Sequence, residues 1–140
     1  MPEVSAYDYA IIRIVPYVER GECMNAGVIL FCPTRGFLDA LIHLDRQRLA
    51  ALAPQLDYDS IRGHLDAIPL ICRGSTEAGG FSNMSQSERF QWVVSPRSTI
   101  IQTSPIHPGL CTDPQATLEH LLKTMVLLPQ TAQENGEQNN

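Results

Sequence analysis

Lysine is nearly absent from this chain: Lys123 stands beside nine arginines, against fifteen acidic residues, for a net charge of -5 over 140 residues. A large nucleic-acid footprint normally needs an excess of basic residues, so that class is not expected; arginines gathered on one side would be the remaining route to it. Closely spaced cysteines are also missing. Cys23, Cys32, Cys72 and Cys111 contain no C-x-x-C, and His43, His64, His107 and His120 are equally scattered. That spacing disfavours a zinc site and a secreted disulfide scaffold, and it suits free thiols in a reducing cytoplasm. Neither a metal nor a cofactor is expected. No apolar run approaches the roughly 20 residues that span a bilayer. The first residues, MPEVSAYDYAIIRIV, carry acids where a signal peptide would be basic, so a soluble cytoplasmic protein is expected. The P-loop, G-x-G-x-x-G, G-x-S-x-G and H-E-x-x-H signatures are all absent.

What remains is an ordinary globular composition, 44% hydrophobic and 18% charged, of a length that fits one domain. The spacing predicts a single α+β domain over residues 1–129 and a disordered polar tail, TAQENGEQNN, within 130–140. Residues 7–18, YDYAIIRIVPYV, are β-branched and aromatic with both faces apolar. With AGVILFC at 26–32 they form an antiparallel hairpin. Alternating residues at 37–44 and the STIIQT run at 98–103 supply further strands of one antiparallel sheet. About three helices cover it, near 45–53, 59–72 and 114–128. Asp45 caps the first, Asp57 or Asp59 the second, and a Thr112/Gln115 capping box the third. Residues 74–87 read as a loop. Ser85 and Glu88 have capping-box spacing ahead of SERFQWVV, although Phe90, Trp92 and Val94 also alternate as a strand does.

Two segments are more polar than a scaffold requires. The first is ERGECMNAG, from Glu19 to Gly27, where Glu19, Arg20, Glu22 and Asn25 crowd the hairpin tip. Its plainer reading is a solvated turn, in which Gly21, Asn25 and Gly27 serve turn geometry. The second runs from Arg89 to Pro114 and holds Arg97, Ser98, Gln102 and His107 among prolines that restrict the backbone. Arg97 and Ser98 can bind an anion together. His107, in the turn SPIHPG, has the residue type for general acid–base work, and equally for satisfying nearby carbonyls. A Cys23 nucleophile paired with His107 is the weakest of these constellations. Trp92 is read as core. If Arg97 is structural, its expected partner is a carboxylate such as Glu19 or Glu22; if functional, a ligand anion.

YDYAIIRIVPYVERGECMNAGVILFCP near the start and RFQWVVSPRSTIIQTSPIHPGL near the end are specific when found together. On them the chain resembles a bacterial family of short stand-alone proteins, number 3037 among the domains of unknown function, across roughly Tyr7 to Val126. The resemblance implies no activity. It directs interest to Arg13, Glu19, Arg20, Glu22, Asn25, Gly27, Arg97, Ser98, Gln102 and His107, and it suggests a kinase of the HipA-like type as partner. Two readings follow. One is a non-enzymatic interaction or accessory module. The alternative is a small enzyme or anion-ligand-binding protein in which the Glu19–Gly27 and Arg97–His107 segments converge on one pocket.

Overall fold

Both faces of the first strand are largely apolar, and over its C-terminal half, from Ala10 to Ile14, both are covered. The computed structural model describes residues 3–97 and 99–129. Strand β1 (Ser5–Ile14) pairs antiparallel with β2 (Met24–Cys32), which pairs with β3 (Phe37–Ile42). The other edge of β1 is shared by two short strands, β4 (Ile101–Thr103) beside Ile12–Ile14 and β5 (His107–Cys111) beside Ser5–Tyr9. This is the α+β architecture expected from the sequence, an antiparallel sheet built on an N-terminal hairpin.

The sheet lies between two helical layers. Ala10, Ile12, Ile14, Ile29 and Phe31 pack against α1 (Arg46–Leu52), α2 (Tyr58–Arg73) and α3 (Gln86–Val94) through Leu49, Ile61, Leu65, Ile68, Phe90 and Val93. Ile11, Val28, Leu30, Cys32 and Cys111 face the opposite way, onto Leu118 and Leu121 of α4 (Pro114–Met125). A strand buried on both faces needs an unbroken apolar run, and β2 supplies one.

Several boundaries move from their expected places. The SERFQWVV ambiguity resolves as helix: Ser85 Oγ accepts from Glu88 N–H, and the Glu88 carboxylate accepts from Ser85 N–H. That reciprocal contact holds the Glu88 carboxyl below its usual range. The 74–87 loop contains the 3-10 turns of Thr76–Asn83. Asp113, rather than Thr112, caps α4 by accepting from Ala116 N–H at 3.2 Å. Helix α4 stops at Met125, short of Pro129, because Val126 turns into the core and Asn25 Nδ2 donates to the Met125 carbonyl at 2.9 Å. The fourth strand begins at Ile101, leaving Thr99 and Ile100 outside it. Strand β5 was not expected, since two prolines and a glycine made SPIHPG read as a turn. Pro108 is tolerated there because β5 is an edge strand, where a missing N–H goes unclaimed. Residues 130–140, expected to be a disordered tail, lie outside the described residues.

Ser104 bridges the gap between β4 and β5. It is 3% exposed, its N–H donates to Ile11 carbonyl oxygen at 2.8 Å, and its Oγ accepts from Ile11 N–H at 2.9 Å. A side chain thus keeps the ladder continuous where the backbone leaves it. Ser104→Ala leaves the Ile11 N–H buried and unmatched, so folding stability should fall by about 1–3 kcal/mol. Chemical denaturation measures this; an unchanged midpoint would show that the bond contributes nothing.

Candidate binding site

The hairpin tip is a surface turn. Val18–Arg20 forms a 3-10 turn closed by Gly21 at φ 69°, and Arg20 Nε donates to Glu22 Oε1 at 2.6 Å. Glu19, Arg20 and Glu22 are all exposed. Arg20 and Glu22 line a small cleft of about 130 Å³ with Pro16, Tyr17 and Leu52. Gly21 therefore serves turn geometry, as expected. Asn25 and Gly27 do not, because β2 has already begun at Met24.

A β-bulge places three of the expected polar residues side by side. The register between β1 and β2 shifts between Ile12 and Arg13, so Ile12 pairs Gly27 while Arg13 pairs Asn25. Ala26 is the extra residue, the hallmark of a bulge. On its other side Arg13 pairs Gln102 of β4. The row Asn25–Arg13–Gln102 is therefore where the two polar segments meet. Asn25 is committed to ending α4, and Gln102 Nε2 donates to Thr99 carbonyl oxygen at 2.8 Å. Arg13 Nε is buried without a hydrogen-bond partner among the described residues.

His107 and Arg97 do not meet. His107 opens β5 opposite Tyr9, and its ring lies 5.3 Å from the Tyr9 ring, on the α4 side of the sheet to which Tyr9 packs. Cys23 immediately precedes Met24, which pairs Ile14. Five residue steps along β1 separate that pair from Tyr9, about 17 Å at 3.4 Å per residue, so Cys23 and His107 cannot act as nucleophile and base.

Arg97 sits on the opposite side, with the α2–α3 layer. Its guanidinium carbon is 3.9 Å from the centre of the Trp92 ring, and its Nη2 donates to the Trp92 carbonyl oxygen. The expected carboxylate partner is not there: Glu22 is taken by Arg20, and Arg97 forms no ion pair among the described residues. Trp92 is not core either. It is 42% exposed because the buried stripe of α3 is Phe90 and Val93, which leaves the indole on the flank, edge-on to Phe81 at 4.6 Å. Ser98 lies outside the described residues.

Arg97 partitions two clefts. One, of about 500 Å³, runs between α2 and the Thr99–Ile101 stretch, with Ile61, His64, Ile68, Ile71 and Trp92 in its walls. The other, of about 530 Å³, lies between α3 and the Gln102–Ile106 stretch. His64 and Trp92 were not among the expected site residues; their one sequence signal was a polar and an aromatic residue flanking amphipathic helices. Arg89 was also missed as a structural residue. It is 8% exposed, and it ties α2 to α3 by donating to the Met84 and Cys72 carbonyl oxygens.

Of the cysteines, Cys23 is exposed and Cys32, Cys72 and Cys111 are buried. Burial, reinforced by the Asp39 carboxylate, pushes the Cys72 thiol from 9.0 up to about 12. The folded state thus favours the protonated thiol, and this contribution to stability is intact below pH 9.0 and erodes as pH rises toward 12. A thiol-reactive disulfide reagent at neutral pH should count one fast cysteine, Cys23, and reach four after denaturation. A fast count of two or more in the native state would contradict the burial pattern.

Among the described residues no group of three or more His, Cys, Asp or Glu side chains is placed to hold a metal ion, and no helix is long and apolar enough to cross a membrane. Neither the curated proteins nor the solved structures contain a match to the chain. The model of one family does match, over residues 9–126, from the middle of β1 to the end of α4, and so takes in the bulge row, Arg97 and both clefts beside it. The chain belongs to that family, described as a protein of unknown function, DUF3037.

Proposed function

We propose that this protein is a non-enzymatic accessory module that acts by docking on another protein, and that its partner is a kinase of the HipA-like type, as the family resemblance implies. One observation carries the reading. On the face that α1, α2 and α3 cover, the helices leave the N-terminal half of β1 open. Ala6 is exposed there, and Leu110, directly across from it on β5, is 72% exposed. Val4 and Ile106 are exposed at the two borders, and Asp8, paired with Pro108, lies on the same face between Ala6 and Ala10. An exposed apolar cross-strand pair such as Ala6 and Leu110 is costly to leave in water, and exposed apolar surface is a mark of a protein interface. Pro108 also directs how a partner docks. Its missing N–H spoils the free edge of β5 for strand addition, so contact is face-on, through side chains.

Mixing the purified chain with the HipA-like kinase of its host and measuring co-elution tests the proposal. The native chain should form a complex, and Leu110→Glu should abolish it with no change in melting temperature, because the Leu110 side chain is already in solvent. Equal complex formation by both forms, or none by the native chain, would sink the reading.

A further inference from the structure

We infer that the groove between α2 and Thr99–Ile101 is a binding site for a small anionic amphiphile, a medium-chain carboxylate, held at its head by Arg97. This site is separate from the docking face proposed above and stands independently of it. Ile61, Ile68, Ile71 and Ile101 give the groove its apolar wall, and its volume of about 500 Å³ falls within the range of small-molecule sites.

Charge complementarity selects the occupant. Among the described residues no acidic side chain lines the groove, whose ionisable side chains are Arg97 and His64. The Arg97 guanidinium lies over the Trp92 ring at 3.9 Å, which orients its plane, and Nη2 gives one bond to the Trp92 carbonyl. An arginine has five N–H donors, so the fork retains capacity for a carboxylate, and the indole lowers the ordering cost of holding it. Thr99 and Ser60 add hydroxyls to the lining. An extended peptide fits less well. Its backbone would bring a donor and an acceptor per residue into walls made chiefly of isoleucine.

Trp92 is the chain's single tryptophan, so its emission reports on the groove without a label. Decanoate, titrated below its micellar concentration into the full chain, should give a saturable change in that emission. Acetate, which has the head without the tail, and decyltrimethylammonium, which has the tail with the opposite charge, should not. Arg97→Lys keeps the charge but loses the fork, and should raise the half-saturation concentration for decanoate about tenfold or more. Because Arg97 also touches Trp92, a second variant is needed. His64→Glu changes an exposed residue of α2 and puts a carboxylate in the groove. It should weaken decanoate while leaving 1-decanol unaffected. Melting curves confirm that both variants fold. No saturable response to decanoate in the native chain, equal affinity for decanoate and 1-decanol, or native-like decanoate binding by both variants would overturn the assignment.

Discussion

Gly27→Val should destabilise the fold by about 3 kcal/mol or more, the upper range for forcing extra atoms into a packed core. Gly27 does not occupy a left-handed conformation; it is needed for space. A Cβ at this position would lie 2.7 Å from the Leu41 carbonyl oxygen and 2.8 Å from Ile42 Cδ1, with Ile12 Cδ1 at 3.3 Å. The nearest of these is backbone of β3, which cannot yield without breaking its pairing to β2. The bulge beside Arg13 compounds the effect, since Gly27 is the last residue in register with Ile12 before Ala26 is skipped. Gly63 is the control. It lies on the exposed side of α2 with nothing within 4 Å of its Cβ position, so Gly63→Ala should raise stability by about 1 kcal/mol through helix propensity. Urea denaturation of both variants measures the contrast. Equal midpoints for Gly27→Val and the native chain would show that β3 can move aside.

The second large effect is expected at Phe90. Its side chain is 0% exposed and its ring centre is 5.2 Å from that of Phe31, so it joins α3 to the middle of the sheet. Phe90→Ala removes both the transfer energy and the fill of the site, at a cost of about 3–5 kcal/mol. Against the roughly 5–15 kcal/mol that hold a typical domain folded, that is a large fraction. The melting temperature should drop by roughly 10 °C or more. Trp92→Ala, two residues away but on the exposed flank, should cost far less although it deletes a larger ring. If calorimetry finds the two variants equally destabilised, the assignment of Phe90 as the anchor of α3 is wrong. Loss of α3 would also release Arg89 from the Met84 and Cys72 carbonyls, loosening the α2 side of the groove.

Local chemistry explains which parts of the structure were legible in advance. Asp45 and the Ser85/Glu88 pair announce helix starts because a cap acts within one turn. Ile61, Leu65 and Ile68 announce a buried face because helical periodicity repeats every few residues. Gly21 announces a turn because its φ of 69° is strained for other residues. The hairpin of β1 and β2 is legible for the same reason, as two apolar runs joined by a short polar connection.

The candidate site was legible in part. Arg97 stood out by its prolines, but the identity of its neighbours depends on contacts across the fold. Whether a guanidinium meets Glu22 or the face of Trp92 is decided by how α3 rolls on the sheet, and Phe90 and Val93 set that roll by claiming the buried side. His107 became a strand residue because β1 had an unpaired edge to satisfy, which no local propensity reveals. Gln102 came to lie beside Arg13 because β4 pairs the C-terminal end of β1, and Ser104 is buried because the ladder changes strands there. The sequence by itself determined the α+β class, the hairpin, the helix starts and the apolar faces, since each depends on residues a few positions apart. Tertiary structure alone decided the bulge row, the split edge of β1, the space that requires Gly27 and the grouping of His64, Trp92 and Arg97 around one groove. Those features arise from pairing and packing between residues distant in the chain, where long-range contacts override local preference.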